Sequence, residues 1–157
     1  MVVVSGNELI AMLESGVDCW NEFRQRNPDT VMLNGLTRPG AQLARANLRR
    51  AFLIESDLRR ANLSFAILDG AILRKTNLCG ADLRHAILDG ADLCRANLSH
   101  ADLRDASLSS AFLKYTDLRG ADLSTALGLT DVQISGACGD ADTRLPANLA
   151  RPSRWDG

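Results

Sequence analysis

Between residues 41 and 125 the chain sets apolar against polar positions on a fixed period of five. The segment reads AQLAR, ANLRR, AFLIE, SDLRR, ANLSF, AILDG, AILRK, TNLCG, ADLRH, AILDG, ADLCR, ANLSH, ADLRD, ASLSS, AFLKY, TDLRG and ADLST, with no insertion or deletion. The central residue of every pentad is leucine: Leu43, Leu48, Leu53, Leu58, Leu63, Leu68, Leu73, Leu78, Leu83, Leu88, Leu93, Leu98, Leu103, Leu108, Leu113, Leu118 and Leu123. The first residue is nearly always Ala. Residues two apart on an extended chain point to the same side, so Ala-x-Leu faces inward and the residue between them faces out. The last two positions carry Arg, Ser, Asp, Gly, Lys and His and suit a turn. A helix is excluded, because a strict period of five drifts around 3.6 residues per turn and would spread Leu over every face.

The exceptions carry a second period. Ser56, Thr76 and Thr116 replace the first-position Ala at multiples of twenty residues. The second position, usually Asn or Asp, is apolar at Phe52, Ile72 and Phe112, again in steps of twenty, and at Ile67 and Ile87. Four pentads therefore make one coil. Residues twenty apart stack at the spacing of neighbouring strands, about 4.8 Å. Each coil buries its apolar side only against its neighbours, as in a solenoid, and the body is a prism roughly 20 Å long.

With its Ala, then Asn or Asp, then Leu, then two variable residues, the run resembles the pentapeptide-repeat family. The resemblance implies an all-β solenoid, a right-handed quadrilateral β-helix with one pentad per side and short α-helical caps. Two flanking segments are also similar to bacterial members. These are the leader WNEFRQRNP from Trp20 to Pro28 and the carboxy-terminal Gly-Asp, Leu-Pro and Pro-x-x-Trp elements.

Three regions follow. Residues 1–30 are expected to form an amino-terminal helical cap, because Leu9, Ile10, Leu13, Val17, Trp20 and Phe23 recur at three or four residues. Ser5 with Glu8 reads as a capping box, and Gly16 interrupts the pattern. Residues 31–125 form the solenoid, regular from 41, with LTRPG irregular because Arg38 stands where Leu belongs. Residues 126–157 lose the register. Thr130 and Gln133 predict a short helix over 131–137, followed by an extended tail across the last coil. Leu13, Trp20 and Phe23 at one end, and Leu145, Leu149 and Trp155 at the other, are the expected cap anchors.

The net charge is −1, with three basic and five acidic residues in 1–40, twelve and ten in 41–125, and three and four in 126–157. No segment favours direct nucleic-acid binding or an anionic membrane. MVVVSGNELI has no basic region or sustained apolar stretch, which points to the cytoplasm. Four cysteines lack CxxC spacing and read as free thiols. His85 and His100 lie at different corners, so no metal site is expected, and no nucleophile elbow, P-loop or dinucleotide fingerprint is present. No catalytic residue or cofactor is expected. Asp82, Asp102 and Asp122 stack beside Arg84 and Arg104 and read as a salt-bridged ladder rather than as paired catalytic carboxylates. Arg59, Arg60 and Arg119 against Asp57 and Asp117 read as a solvated face.

The candidate partner surface is apolar. Ile67 and Ile87 share the second face, and Phe52, Ile72 and Phe112 share the third, with Ile54 and Tyr115 nearby. Exposed apolar patches tend to be interaction sites, although large side chains here could also cover the thin coil. The chain thus reads as a rigid, non-catalytic module that binds a protein partner or a second copy of itself. Some members of the resembled family mimic DNA and bind gyrase. That alternative asks for a strongly acidic surface.

Overall fold

The computed structural model describes residues 6–155, and the capping role expected of Ser5 lies outside them. Two helices come first, α1 over Gly6–Glu14 and α2 over Val17–Arg26, hinged at Gly16 with φ 118°. Four-sided coils follow, then α3 over Asp131–Gly136 and a single 3-10 turn over Ser153–Trp155.

Every side contributes one bridging residue, the second of its pentad, paired in parallel with the residue twenty further on, as in Ile67 with Ile87 and Asp82 with Asp102. Two hydrogen bonds make each rung: Leu83 N–H donates to Asp102 O at 2.8 Å, and Asp102 N–H donates to Ala81 O at 3.0 Å. The corner is closed by the first residue of the next pentad, Ala86 N–H reaching Leu83 O at 3.0 Å. This corner places its fifth residue in the left-handed region. Among the described residues twelve that are not glycine adopt it, including Arg45, Phe65, Lys75, His85, Arg95 and Tyr115, with φ between 53° and 65°.

The seventeen central leucines are all buried, none more than 3 % exposed, and the first-position alanines fill the space between them. Ser56, Thr76 and Thr116 replace Ala without leaving a buried hydroxyl unpaired. Their Oγ atoms donate to Leu33 O, Leu53 O and Leu93 O at 3.1, 2.6 and 2.8 Å.

The coils extend beyond the regular pentads at both ends. Met32 pairs with Phe52 and Thr37 with Asp57, so LTRPG forms an ordinary side despite Arg38. Leu36 supplies the buried apolar bulk there, while Arg38 turns outward and pairs with Glu14 of α1. Past Thr125 the bridges continue although the period of twenty is lost, the separations growing from 20 to 21 and 22 residues. Leu127 pairs with Ser107, Cys138 with Asp117 and Arg144 with Asp122. Helix α3 stands in for one side of this coil, and Thr143 repeats the buried threonine bond, donating to Leu118 O at 3.0 Å.

Both ends are closed by side chains that bond the free edge groups of the outermost coils. At the first coil Trp20 Nε1 donates to Asn47 O at 2.8 Å. Asn21 donates to Arg45 O at 3.0 Å and accepts from Asn47 N–H at 2.8 Å. Buried Arg24 reaches Arg49 O at 2.9 Å and the carbonyls of Asn27 and Asp29, and burial lowers its guanidinium pKa. Leu13 is buried behind this layer and Phe23 is half-buried beside Trp20, 5.8 Å between ring centroids. At the other end α3 begins with a Thr130–Gln133 capping box, and Gln133 Nε2 also donates to Leu108 O and Ala111 O. Arg151, Arg154 and the buried Trp155 donate to the carbonyls of Thr143, Ser135 and Ala137. Leu145 and Leu149 are half-buried against the core. Edges filled in this way offer little to end-to-end strand pairing.

Candidate interaction surface

The second position explains its own preference for Asn and Asp. Its side-chain Oδ1 accepts the amide two residues on, as in Arg84 N–H to Asp82 at 3.1 Å, Ser99 to Asn97 at 2.9 Å and Arg119 to Asp117 at 3.1 Å. Each such bond satisfies a turn amide that has no backbone partner. Where the residue is apolar, that acceptor is gone. Among the described residues, the amides of Asp69, Arg74, Asp89 and Lys114, which follow Ile67, Ile72, Ile87 and Phe112, have no protein acceptor. Ile54 N–H after Phe52 is rescued from the preceding coil by Asn34 Oδ1 at 2.9 Å.

The apolar residues form two columns on adjacent sides. On the second side Ile67 is half-buried, Ile87 is exposed, and Leu127 continues the column after Ser107. On the third side Met32, Phe52 and Ile72 stack in order, with Ile54 half-buried beside them. Asp92 then interrupts, and Phe112 follows, 60 % exposed. Asp92 is nearly buried and bonded by Arg74 Nε at 2.5 Å. Burial pushes its carboxyl pKa up, but hydrogen bonds from Cys94 and Arg74 outweigh this and hold it below the usual range. Tyr115 lies at the corner of this side, 56 % exposed, and Val132 of α3 stands 81 % exposed in the coil beyond. Met32, Leu127 and Val132 were missed by the sequence reading. Met32 and Leu127 lie on either side of the regular pentads of 41–125, and Val132 is on a helix inserted into the last coil.

The charged sides are internally paired. Arg84 bonds Asp82 in the same pentad at 2.8 Å and lies 3.7 Å from Asp102, which Arg104 bonds at 2.6 Å. Arg59 with Asp57 and Arg119 with Asp117 repeat the motif on the fourth side, while Arg60 carries no ion pair among the described residues. The arginine hydrogen bonds hold the carboxyls of Asp57, Asp82, Asp102 and Asp117 below the usual range. Among the described residues no cluster of His, Cys, Asp or Glu is arranged to hold a metal ion, and the four cysteines are free. A cleft of about 280 Å³ separates α1 from the first coils and is lined mainly by Ile10, Leu13, Leu36 and Leu43.

The family model for pentapeptide repeats matches residues 40–74, 68–99 and 86–124, in eight copies. The chain belongs to the pentapeptide-repeat family. Among solved structures it is similar to the pentapeptide-repeat protein Rfr23 of the cyanobacterium Cyanothece 51142, at 31 % identity over 80 % of this chain and 97 % of that one, with a TM-score of 0.61. A pentapeptide-repeat protein of the Arabidopsis thaliana thylakoid lumen is 30 % identical over 73 % and 82 % of the two chains, TM-score 0.53. The protein alr5209 of Nostoc is 32 % identical over 85 % and 88 %, also with a TM-score of 0.53. No curated protein matches. Among the described residues no helix is long and apolar enough to cross a membrane.

Proposed function

We propose that this pentapeptide-repeat protein is a rigid, non-catalytic binding module whose two apolar columns are its working surface for a protein partner or a second copy of itself. Its regions are a helical cap over 1–30, a right-handed quadrilateral β-helix over 31–125 and a closing cap over 126–157. The observation that carries this reading is the exchange made at Ile67, Ile72, Ile87 and Phe112. Each replaces the Asn or Asp that would bond a turn amide, and leaves that amide without a protein acceptor. A turn hydrogen bond contributes about 0.5–1.5 kcal/mol, so an exposed apolar residue there works against the coil unless something covers it. Preordered coils lose little conformational entropy when covered. Free thiols suit a reducing compartment and support a cytoplasmic setting. The near balance of charge in the repeat body speaks against mimicry of a polyanion.

The test is a comparison of wild type with an Ile72→Asn, Phe112→Asn variant, which installs the residue type that the repeat itself uses. Affinity capture from the source cells and sedimentation read the two forms of the proposal, a partner or self-association. Loss of the complex with the coil intact supports the surface. Unchanged complexes would move the search to the charged sides and the caps.

A further inference from the structure

The third side is distinguished by combining exposed apolar side chains with an excess of basic over acidic residues. Its continuation in α3 carries Asp131, and its pentads carry four basic and two acidic residues in a chain whose net charge is −1. Both acids are taken: Glu55 pairs with Lys75 at 2.8 Å, and Asp92 pairs with Arg74. Arg95 and Lys114 have no carboxylate partner among the described residues. Instead both lie against the ring of Tyr115, Arg95 Cζ at 5.8 Å and Lys114 Nζ at 5.2 Å from its centroid. The two cations are therefore gathered around the exposed ring of Tyr115, on the side that also exposes Phe112. Two further donors, the amides of Arg74 and Lys114, stand beside Ile72 and Phe112 without protein acceptors.

Resting on the surface reading above, we infer that this side takes an acidic amphipathic helix of a partner protein. Its apolar residues cover Ile72, Phe112 and Tyr115, and its carboxylates meet Arg95, Lys114 and the free amides. The spacing favours a helix laid along the solenoid axis. With Asp92 between them, Ile72 and Phe112 stand two coils apart, about 9.6 Å, close to the roughly 10 Å rise of residues six or seven apart on a helix, whereas same-face strand residues repeat at about 6.7 and 13 Å. An isolated positive patch inside a balanced surface suits a short acidic segment better than a nucleic acid or an anionic membrane, both of which need extended positive charge.

The experiment uses the full chain and two synthetic helical peptides with identical leucine positions, one flanked by Glu and the other by Lys. Single-stranded DNA and phosphatidylglycerol vesicles serve as competing anions, and binding is read by fluorescence anisotropy at low salt. The Glu peptide binds, and an Arg95→Glu, Lys114→Glu variant weakens it by about tenfold or more while gaining affinity for the Lys peptide. Equal binding of the two peptides, no binding of the Glu peptide, or preference for DNA or vesicles overturns the inference. The surface reading is tested apart from it. A partner lost by Ile72→Asn, Phe112→Asn but kept by the charge-reversal variant leaves the apolar columns as the interface and removes the acidic helix.

Discussion

The Oδ1 of Asp117 accepts the amide of Arg119 at 3.1 Å, and one pentad earlier in the chain Phe112 leaves the equivalent amide of Lys114 without an acceptor. Two successive pentads thus solve the same turn in opposite ways. One satisfies its backbone, and the other presents a ring to solvent.

Phe112→Asn follows directly from that pair. The new side chain restores the turn hydrogen bond, and little packing is lost from a residue 60 % exposed. The variant is expected to unfold at the same temperature as wild type or above it, with a gain of up to about 1 kcal/mol. Partner binding falls in the same variant. A clear drop in thermal stability would show that the ring holds the coil together and would count against the surface.

Backbone conformation gives a second prediction. Ser110 and Gly90 share one corner position in successive coils, with φ 57° and 64°. Ser110→Gly removes left-handed strain and stabilises by about 0.5–1 kcal/mol, less the added freedom of the unfolded chain. Gly90→Ala costs about 1 kcal/mol, because a Cβ there meets open space and only the backbone objects. Gly120→Ala costs more, since its Cβ would run into the ring of His100. Chemical denaturation of the three variants orders them, and equal costs at Gly90 and Gly120 would contradict the packing at that corner.

The end plugs predict a third result. Asn21→Ala strips partners from both Arg45 O and Asn47 N–H, at about 1–3 kcal/mol. It also reopens a strand edge, so sedimentation should detect concentration-dependent association beyond that of wild type. Unchanged stability and sedimentation identical to wild type would mean that water satisfies this edge as well as Asn21 does.

The coil was legible because Leu at every fifth residue and the exceptions at every twentieth are one-dimensional signals that a stacked chain must carry. Other features leave no such trace. Left-handed corners were invisible because Arg, Phe, Lys, Tyr and His occupy them more often than Gly does, their strain being outweighed by the hydrogen bonds on either side. The final coil was lost to counting, since α3 and the loop at Asp140 stretch the spacing beyond twenty while Thr143 and Cys138 keep their places. Asn21 and Arg24 looked like ordinary helix surface. Their roles depend on which carbonyls the first coil leaves open, which only the assembled edge reveals. On the apolar columns, the sequence named seven residues, yet the missing turn acceptors and the pairing of Asp92 with Arg74 required coordinates.

Asp140 sets the pH dependence of the closing coil. Its Oδ1 takes the amides of Gly120, Asp142 and Thr143 and the Thr143 hydroxyl, standing in for the carbonyl that the next pentad would supply. The Gly120 amide bond, with those from Thr143 and Asp142, holds the carboxyl below its usual range. A carboxyl lowered on folding stabilises the folded chain above its unfolded pKa, near 3.9. That contribution is lost as pH falls through the folded value. The coil should therefore loosen in acid below about pH 4, and Asp140→Asn, which retains the acceptor but not the charge, should flatten that limb of the stability profile. Trp155 reports the event, packed over Gly139 in the same coil. Trp20 sits at the opposite end, so the titration is read in a Trp20→Phe background. An acid transition of equal steepness with Asp or Asn at 140 would assign it instead to the Asp–Arg pairs of the first and fourth sides, whose carboxyls are lowered in the same direction.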